Sequence, residues 1–213
     1  MLNNNNKYGR YRFFSWHSLS PKDRGSGSPE FDDMALMKSV ILKKTISVAA
    51  REGVRGFSVK TVASEAGCSE GLIFHYYNTK KELTDTCYRY IVDEFSKKVA
   101  SQNVDLPSLL RCYCDFMKQN REMALFSLEY IQQNDGPVGL DIITDAVREY
   151  YADEGEDFCN SITRSIAIFG GLIGSGKLTW EQTYGGNYKS ILDDMTGWMV
   201  SSPSQGDERP PPI

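Results

Sequence analysis

Between Ser58 and Tyr76 the chain carries two short helical patterns parted by a single glycine, and no other feature limits its fold so tightly. Ser58 stands where an N-cap is wanted for a helix over residues 58–66, with Val59, Val62 and Ala63 facing inward. Gly67 then breaks the chain, and Ser69 caps a second short helix that runs to about Tyr76. A serine suits both starts because its side-chain oxygen accepts from one of the amides that a helix N-terminus leaves unpaired. The expected unit is helix, tight turn, helix. Val62, Ala63, Ala66 and Ile73 bury its inner faces, leaving Lys60, Glu70, Leu72, His75 and Tyr76 on more exposed ones.

The rest of the chain reads the same way, because apolar residues recur at spacings of three and four rather than in alternation. A first helix is expected over residues 35–51, with Ile41, Thr45, Val48 and Ala49 on one face and Gly53 at its stop. Thr79-Lys80-Lys81-Glu82 fits a capping box that opens a long helix carrying Leu83, Cys87, Tyr90, Ile91 and Phe95. Further helices are expected at 106–119, 121–134, 138–152, 158–180 and 184–200, separated by Pro107, Asn120, Gly136-Pro137, Gly155 and Gly185-Gly186. The fold class is therefore all-α. Residues 1–33, with an Asn run and a Gly/Ser/Pro stretch of the kind left by cloning, read as a leader, and the Ser- and Pro-rich residues 201–213 read as a disordered tail.

Composition narrows the function. At 40% hydrophobic and 24% charged, with no uncharged apolar run near the ~20 residues needed to span a bilayer, a soluble protein with no membrane partner is expected. The first 30 residues hold no secretory signal pattern, which makes the cytoplasm the expected location. The formal charge of -4 hides an asymmetry: residues 36–100 hold 11 Lys/Arg against 7 Asp/Glu, while residues 101–213 hold 8 against 17. A basic segment on an acidic body suits phosphate binding at one end. Cys68, Cys87, Cys112, Cys114 and Cys159 show no C-x-x-C spacing, and His17 and His75 are the only imidazoles, so neither a metal site nor a disulfide frame is indicated. No catalytic constellation and no cofactor motif is expected, with one rival considered below.

Two helices held at a fixed angle by a tight turn can place the second in a DNA major groove while the first braces it. The residues around that turn carry a resemblance. Gly56-Phe57, the pattern V-A-x-x-A-G-x-S-x-G over residues 62–71, the aromatic run Phe74 to Tyr77 and Lys80-x-x-Leu83 are similar to the N-terminal DNA-binding region of the TetR family of transcriptional regulators. The likeness covers about 60 residues, from the first helix into the fourth, and it is specific for fold and DNA binding rather than for ligand.

The resemblance implies an N-terminal three-helix helix-turn-helix domain over residues 34–80 and a C-terminal helical ligand-binding and dimerisation domain over 81–200. Carried onto matching positions, Lys60 is a candidate phosphate or base contact, and Ser69, Glu70, Gly71 and Leu72 open the recognition helix. Glu70 can accept from cytosine N4 and Leu72 can touch a thymine methyl. His75, Tyr76 and Lys80 are candidate phosphate contacts. The family usually has tyrosine where Phe74 stands, so packing is kept at that position while the hydroxyl's phosphate contact is missing. Among the middle helices, Phe116, Met117, Met123, Phe126, Tyr130 and Tyr150 are candidate pocket residues for an apolar or aromatic inducer. The last two helices are expected to form a homodimer interface through Phe169, Leu172, Ile173, Tyr188, Leu192 and Met195. The implied function is a ligand-responsive regulator, most simply a repressor, that binds a palindromic double-stranded operator as a homodimer and is released by an inducer.

One motif points elsewhere. Gly171 to Lys177 satisfies G-x-x-x-x-G-K, the phosphate-cradling loop of nucleotide hydrolases. Leu178 stands where a Ser or Thr hydroxyl would hold Mg²⁺, so the alternative expectation is that Gly170, Gly171, Gly174 and Gly176 allow close helix packing or interrupt a helix. An interaction scaffold without DNA binding is a further alternative.

Overall fold

The computed structural model describes residues 29–100, 105–135 and 138–178, and among these it contains eight helices and no strand. They are α1 (Pro29–Glu52), α2 (Val59–Ala66), α3 (Glu70–Tyr76), α4 (Lys80–Val99), α5 (Leu106–Gln119), α6 (Arg121–Gln133), α7 (Asp141–Tyr150) and α8 (Glu156–Ser175). The chain divides between Ser39 and Val40, inside α1, into two compact units. The first unit contributes only the opening turns of α1 to the described residues.

Within the second unit, α8 is the central strut, packing against α5, α6 and α7, while α4 closes the bundle against α5 and α6. Close approach along α8 comes from its glycines. A methyl group at Gly174 would lie 2.5 Å from the Met117 carbonyl oxygen and 2.5 Å from Ala124 Cβ, and one at Gly170 would lie 2.3 Å from a Tyr113 ring carbon. The core between these helices includes Phe95, Leu109, Leu110, Tyr113, Met117, Phe126, Leu128, Ile162 and Ile166.

The helical expectation holds, and the boundaries differ in three places. α1 starts at Pro29 rather than residue 35, since proline's fixed φ and missing N–H suit a first helical position and the Gly/Ser run ends just before it. α7 starts at Asp141 rather than 138, because Gly139 adopts φ +64° and Leu140 is not helical. α8 spans 156–175 rather than 158–180: Gly176, at φ 77°, turns left-handed, its N–H reaching the Ile173 carbonyl at 3.0 Å while Lys177 N–H reaches Leu172 at 3.0 Å. Residues 29–33 of the expected leader belong to α1, while residues 1–28, the expected helix over 184–200 and the tail over 201–213 lie outside the described residues.

That ending answers the rival motif. In a phosphate-cradling loop the glycines precede a helix whose N-terminal amides face the phosphates. Here Gly171 and Gly174 lie inside α8, and the lysine follows its C-terminus, where carbonyls and the negative end of the helix dipole would repel an anion. Close packing, with a stop at Gly176, is what these glycines provide.

Among the described residues no helix is long and apolar enough to cross a membrane, and no group of three His, Cys, Asp or Glu side chains is arranged to hold a metal.

Candidate nucleic-acid interface

Local chemistry sets the head of the second unit. Ser58 precedes α2 in extended backbone, its carbonyl accepting from Val62 N–H at 3.1 Å, although its hydroxyl makes no cap bond. Gly67 closes α2 at φ 67°, and Cys68 N–H bonds back to the Ala63 carbonyl at 3.0 Å. Two residues later Ser69 Oγ accepts from Leu72 N–H at 3.1 Å, so α3 begins at once. Thr79 Oγ1 accepts from Glu82 N–H at 3.0 Å, which starts α4. The expected reciprocal half of that capping box is displaced by one residue: the Glu82 carboxylate accepts from Asn78 N–H at 3.1 Å and from its side-chain amide at 3.0 Å.

Helix α3 presents two faces. Ile73 is 1% exposed and Tyr77, just past its end, is buried, so the inner side is anchored. Glu70, Gly71, Phe74 and His75 are exposed on the other side, with Leu72 and Tyr76 half-buried beside them. Phe74 stands 43% exposed. His75 and Tyr76 rings lie 5.6 Å apart. Lys60 is exposed on α2. Thus Lys60, Ser69, Glu70, Gly71, Phe74 and His75 all reach the surface, while Ile73 holds the helix to the fold.

Lys80 is placed differently from its neighbours. Its ammonium donates to the Arg55 carbonyl at 2.7 Å and lies 4.2 Å from the Phe57 ring centroid. It pins the α1–α2 turn to the start of α4, so a role in positioning the head is built in.

Two polar links tie this head to α6, and neither was apparent in the sequence. Glu122 accepts from Ser47 Oγ at 2.9 Å, Arg51 donates to the same hydroxyl at 3.1 Å, and Arg51 also pairs with Glu65 of α2. Glu129 accepts from Val54 N–H at 2.6 Å in the α1–α2 turn. From the next position, Tyr130 donates to Asp85 of α4 at 3.0 Å. Nothing local marks these acids, since each lies 75 positions from its partner in the head.

The expected pocket residues divide. Phe116, Met117 and Phe126 are buried core, Phe116 tilted against Phe95 at 5.6 Å. Tyr130 is half-buried and stacks on Tyr88 at 4.4 Å; burial first, then its bond to Asp85, pushes its pKa up to about 12. Met123 lines a cleft of 360 Å³ with Lys43, Ile46 and Arg121, and Tyr150 is 44% exposed, edge-on to Tyr151. The six do not converge on one cavity wall. A smaller cleft of 140 Å³ lies between α7 and α8, lined by Asp141, Thr144, Arg148, Glu156 and Thr163 among others. Of the expected interface residues, Phe169 and Ile173 are buried against their own chain and Leu172 is half-buried, while Tyr188, Leu192 and Met195 lie outside the described residues.

A helix-turn-helix with an exposed second helix, mounted on a bundle of longer helices, defines a regulator-like class of protein. Comparison with known proteins specifies it further. Residues 41–87 match the family model described as bacterial regulatory proteins, tetR family. The chain is 32% identical over 82 residues to the HTH-type transcriptional regulator BetI of Vibrio campbellii, a match covering 38% of this chain and 39% of that protein. A match to BetI of Vibrio atlanticus is 30% identical over 73 residues, covering 34% and 36%. The matched region thus spans about two-fifths of the relatives' length. A putative TetR-family regulator from Rhodococcus sp. superposes with a TM-score of 0.55 at 19% identity, covering 78% of this chain and 100% of that one. A second, from Shewanella sp., gives 0.54 at 17%, covering 76% and 97%. At that identity the likeness of the body is one of fold. Over residues 41–87 the chain is thus similar to the bacterial regulatory proteins of the tetR family, and its helical body shares the fold of solved TetR-family structures.

Proposed function

We propose that the protein is a ligand-responsive transcriptional regulator, acting as a repressor in the cytoplasm, that binds a palindromic operator as a homodimer and leaves it when a small apolar or aromatic molecule binds the helical body. The observation that carries this reading is the outward face of α3, where Glu70, Gly71, Phe74 and His75 are exposed on a helix anchored by buried Ile73 and capped by Ser69. Residues 34–80 serve as the DNA-binding head and 81–200 as the ligand-binding and dimerisation body.

In this reading Glu70 and Leu72 face base edges, Lys60, His75 and Tyr76 face phosphates, and Phe74 packs on sugar or a thymine methyl. Lys80 acts through position, holding the turn against α4. Two copies of α3 enter successive major grooves about 34–36 Å apart. Leu172 and the segment bearing Tyr188, Leu192 and Met195 supply the dimer contact. Helix α6 couples the parts, because Glu122 and Glu129 hold the head while its other face lies in the bundle. A ligand that moves α6 changes the separation of the heads, and DNA weakens ligand binding by the same factor.

Substitution with salt titration tests the assignment. Lys60→Ala should weaken binding to every duplex and reduce the slope of log affinity against log salt by about 0.9. Glu70→Ala and Leu72→Ala should instead change which base pairs are preferred. Equal, sequence-independent losses from all three would overturn the placement of α3 in the groove.

A further inference from the structure

The 360 Å³ cleft opens where α1 passes the corner between α5 and α6: Lys43 and Ile46 line it from α1, and residues 119–123 line it from the corner. Its volume is within the range of small-molecule sites, about 300–1,000 Å³. The walls differ in character. Ile46, 2% exposed, and half-buried Met123 supply apolar surface, whereas Lys43 and Arg121 stand exposed beside them. Neither cation is committed elsewhere, since the Lys43 and Arg121 side chains make no hydrogen bond or ion pair among the described residues. Lys80, Arg51, Lys81, Lys97 and Arg148, by contrast, each hold a carbonyl or a carboxylate.

A third cation stands at the rim: Lys98 of α4 donates at 3.1 Å to Oε1 of Gln119, itself a lining residue. The start of α6 adds to this polarity, because Asn120 turns its side-chain amide back to the Phe116 carbonyl at 2.8 Å and gives the helix no side-chain cap. One acid faces the same space. Glu122 lines the cleft, and its carboxylate accepts from Ser47 Oγ at 2.9 Å, the link that holds α1 to α6. Lys43 and Arg121 against Glu122 leave the lining with a net charge of +1.

We propose that this cleft binds a small organic anion, a carboxylate or phosphate monoester with an apolar tail, its charge held by Lys43 and Arg121 and its tail laid on Ile46 and Met123. Ammonium and guanidinium groups donate charge-assisted hydrogen bonds to either kind of anion, and methionine adapts its shape to an aliphatic chain. The consequence for the head comes through Glu122. A second negative charge in the cleft repels its carboxylate, so the bond to Ser47 weakens and α1 loses one of its ties to α6. The anion thus acts on α1 directly, apart from any ligand seated inside the bundle. Its effect on operator binding rests on the function proposed above, whereas its binding to the cleft does not.

The test uses the full chain with hexanoate and hexyl phosphate as probes, and hexanol and hexylamine as neutral and cationic controls. Calorimetry should show binding of at least one anion and of neither control, with affinity falling as salt is raised. Which anion binds more tightly decides between carboxylate and phosphate. Lys43→Ala and Arg121→Ala alter exposed side chains and should melt with the parent, yet each should bind the anion about tenfold more weakly. Glu122→Gln removes the like charge while keeping an acceptor for Ser47, so it should bind the anion severalfold more tightly. The proposal is overturned if neither anion binds, if a control binds as tightly, if both alanine variants keep full affinity, or if Glu122→Gln weakens binding. Duplex affinity is measured separately, and the bound anion should lower it in the parent and lower it less in Glu122→Gln. Anion binding that leaves duplex affinity unchanged overturns the weakening of the Ser47 link. Anion binding by a chain that holds no duplex refutes the operator reading and leaves this site standing.

Discussion

Glu129 is the most informative single residue to change, because one short hydrogen bond ties it to the helix-turn-helix head. Its carboxylate accepts from Val54 N–H at 2.6 Å, and Val54 is 4% exposed, so the amide has little water to turn to. A hydrogen bond to a charged group contributes about 1.5–3 kcal/mol, and a buried donor left unpaired costs a similar amount. Glu129→Ala should therefore free the α1–α2 turn by about 2 kcal/mol, or roughly 30-fold in the population of the detached arrangement. Glu129→Gln keeps a neutral acceptor and should lose about half as much, since charge-assisted bonds are about twice as strong as neutral ones. Hydrogen exchange at the Val54 amide reads the opening directly, and duplex affinity reads its effect on α3. The expected order is parent, then Gln, then Ala, in both protection and affinity. Unchanged Val54 protection in the alanine variant would refute the reasoning, because the bond would then contribute nothing to holding the head.

Two further predictions concern packing and thiol chemistry. Gly174→Ala should destabilise the fold by about 1–2 kcal/mol even after the ~1 kcal/mol that alanine gains over glycine in a helix, because its methyl meets the Met117 backbone at 2.5 Å, whereas Gly171→Ala, 3.1 Å from Leu128 Cβ, should cost less; denaturant midpoints decide, and the reverse order contradicts the account. Burial holds the Cys87 and Cys114 thiols up, Cys114 to about 12, so both stay protonated through the neutral range and become thiolates only near or above that pH. A maleimide at neutral pH should first label the half-buried Cys68 and Cys112, with the Cys68 rate climbing as pH rises towards its own raised pKa; rapid modification of Cys87 or Cys114 in the native protein would contradict this.

What the sequence disclosed was what short-range chemistry decides. Gly67, Ser69 and Thr79 each act within four residues, and the helices they punctuate fall where the pattern puts them. Boundaries slipped where two local signals competed. Four glycines crowd the end of α8, and only burial against Tyr113, Leu128 and Met117 reveals that three pack while Gly176 stops the helix. The leader's Gly/Ser run similarly hid the start of α1 at Pro29. Within the candidate interface, periodicity correctly turned Ile73 inward and Glu70 and His75 outward. It gave no hint that Lys80 would spend its charge on the Arg55 carbonyl, or that Glu122 and Glu129 would reach the head, since such contacts depend on tertiary placement. Among the aromatic residues of the body, hydropathy alone could not separate packed Phe126 from Tyr113 with its unpaired hydroxyl, because both occupy buried helical positions.

In the proposed function the outer face of α3 reads base pairs twice, once from each half of a symmetric dimer. Enrichment of duplexes from a random pool by the full chain, repeated with Glu70→Ala, tests it most directly. An inverted repeat is expected whose half-sites are centred about one helical turn apart or a multiple of it, with the glutamate variant relaxing the preference at one position in each half-site. Recovery of no shared motif, or of the same motif unchanged by the substitution, would contradict it.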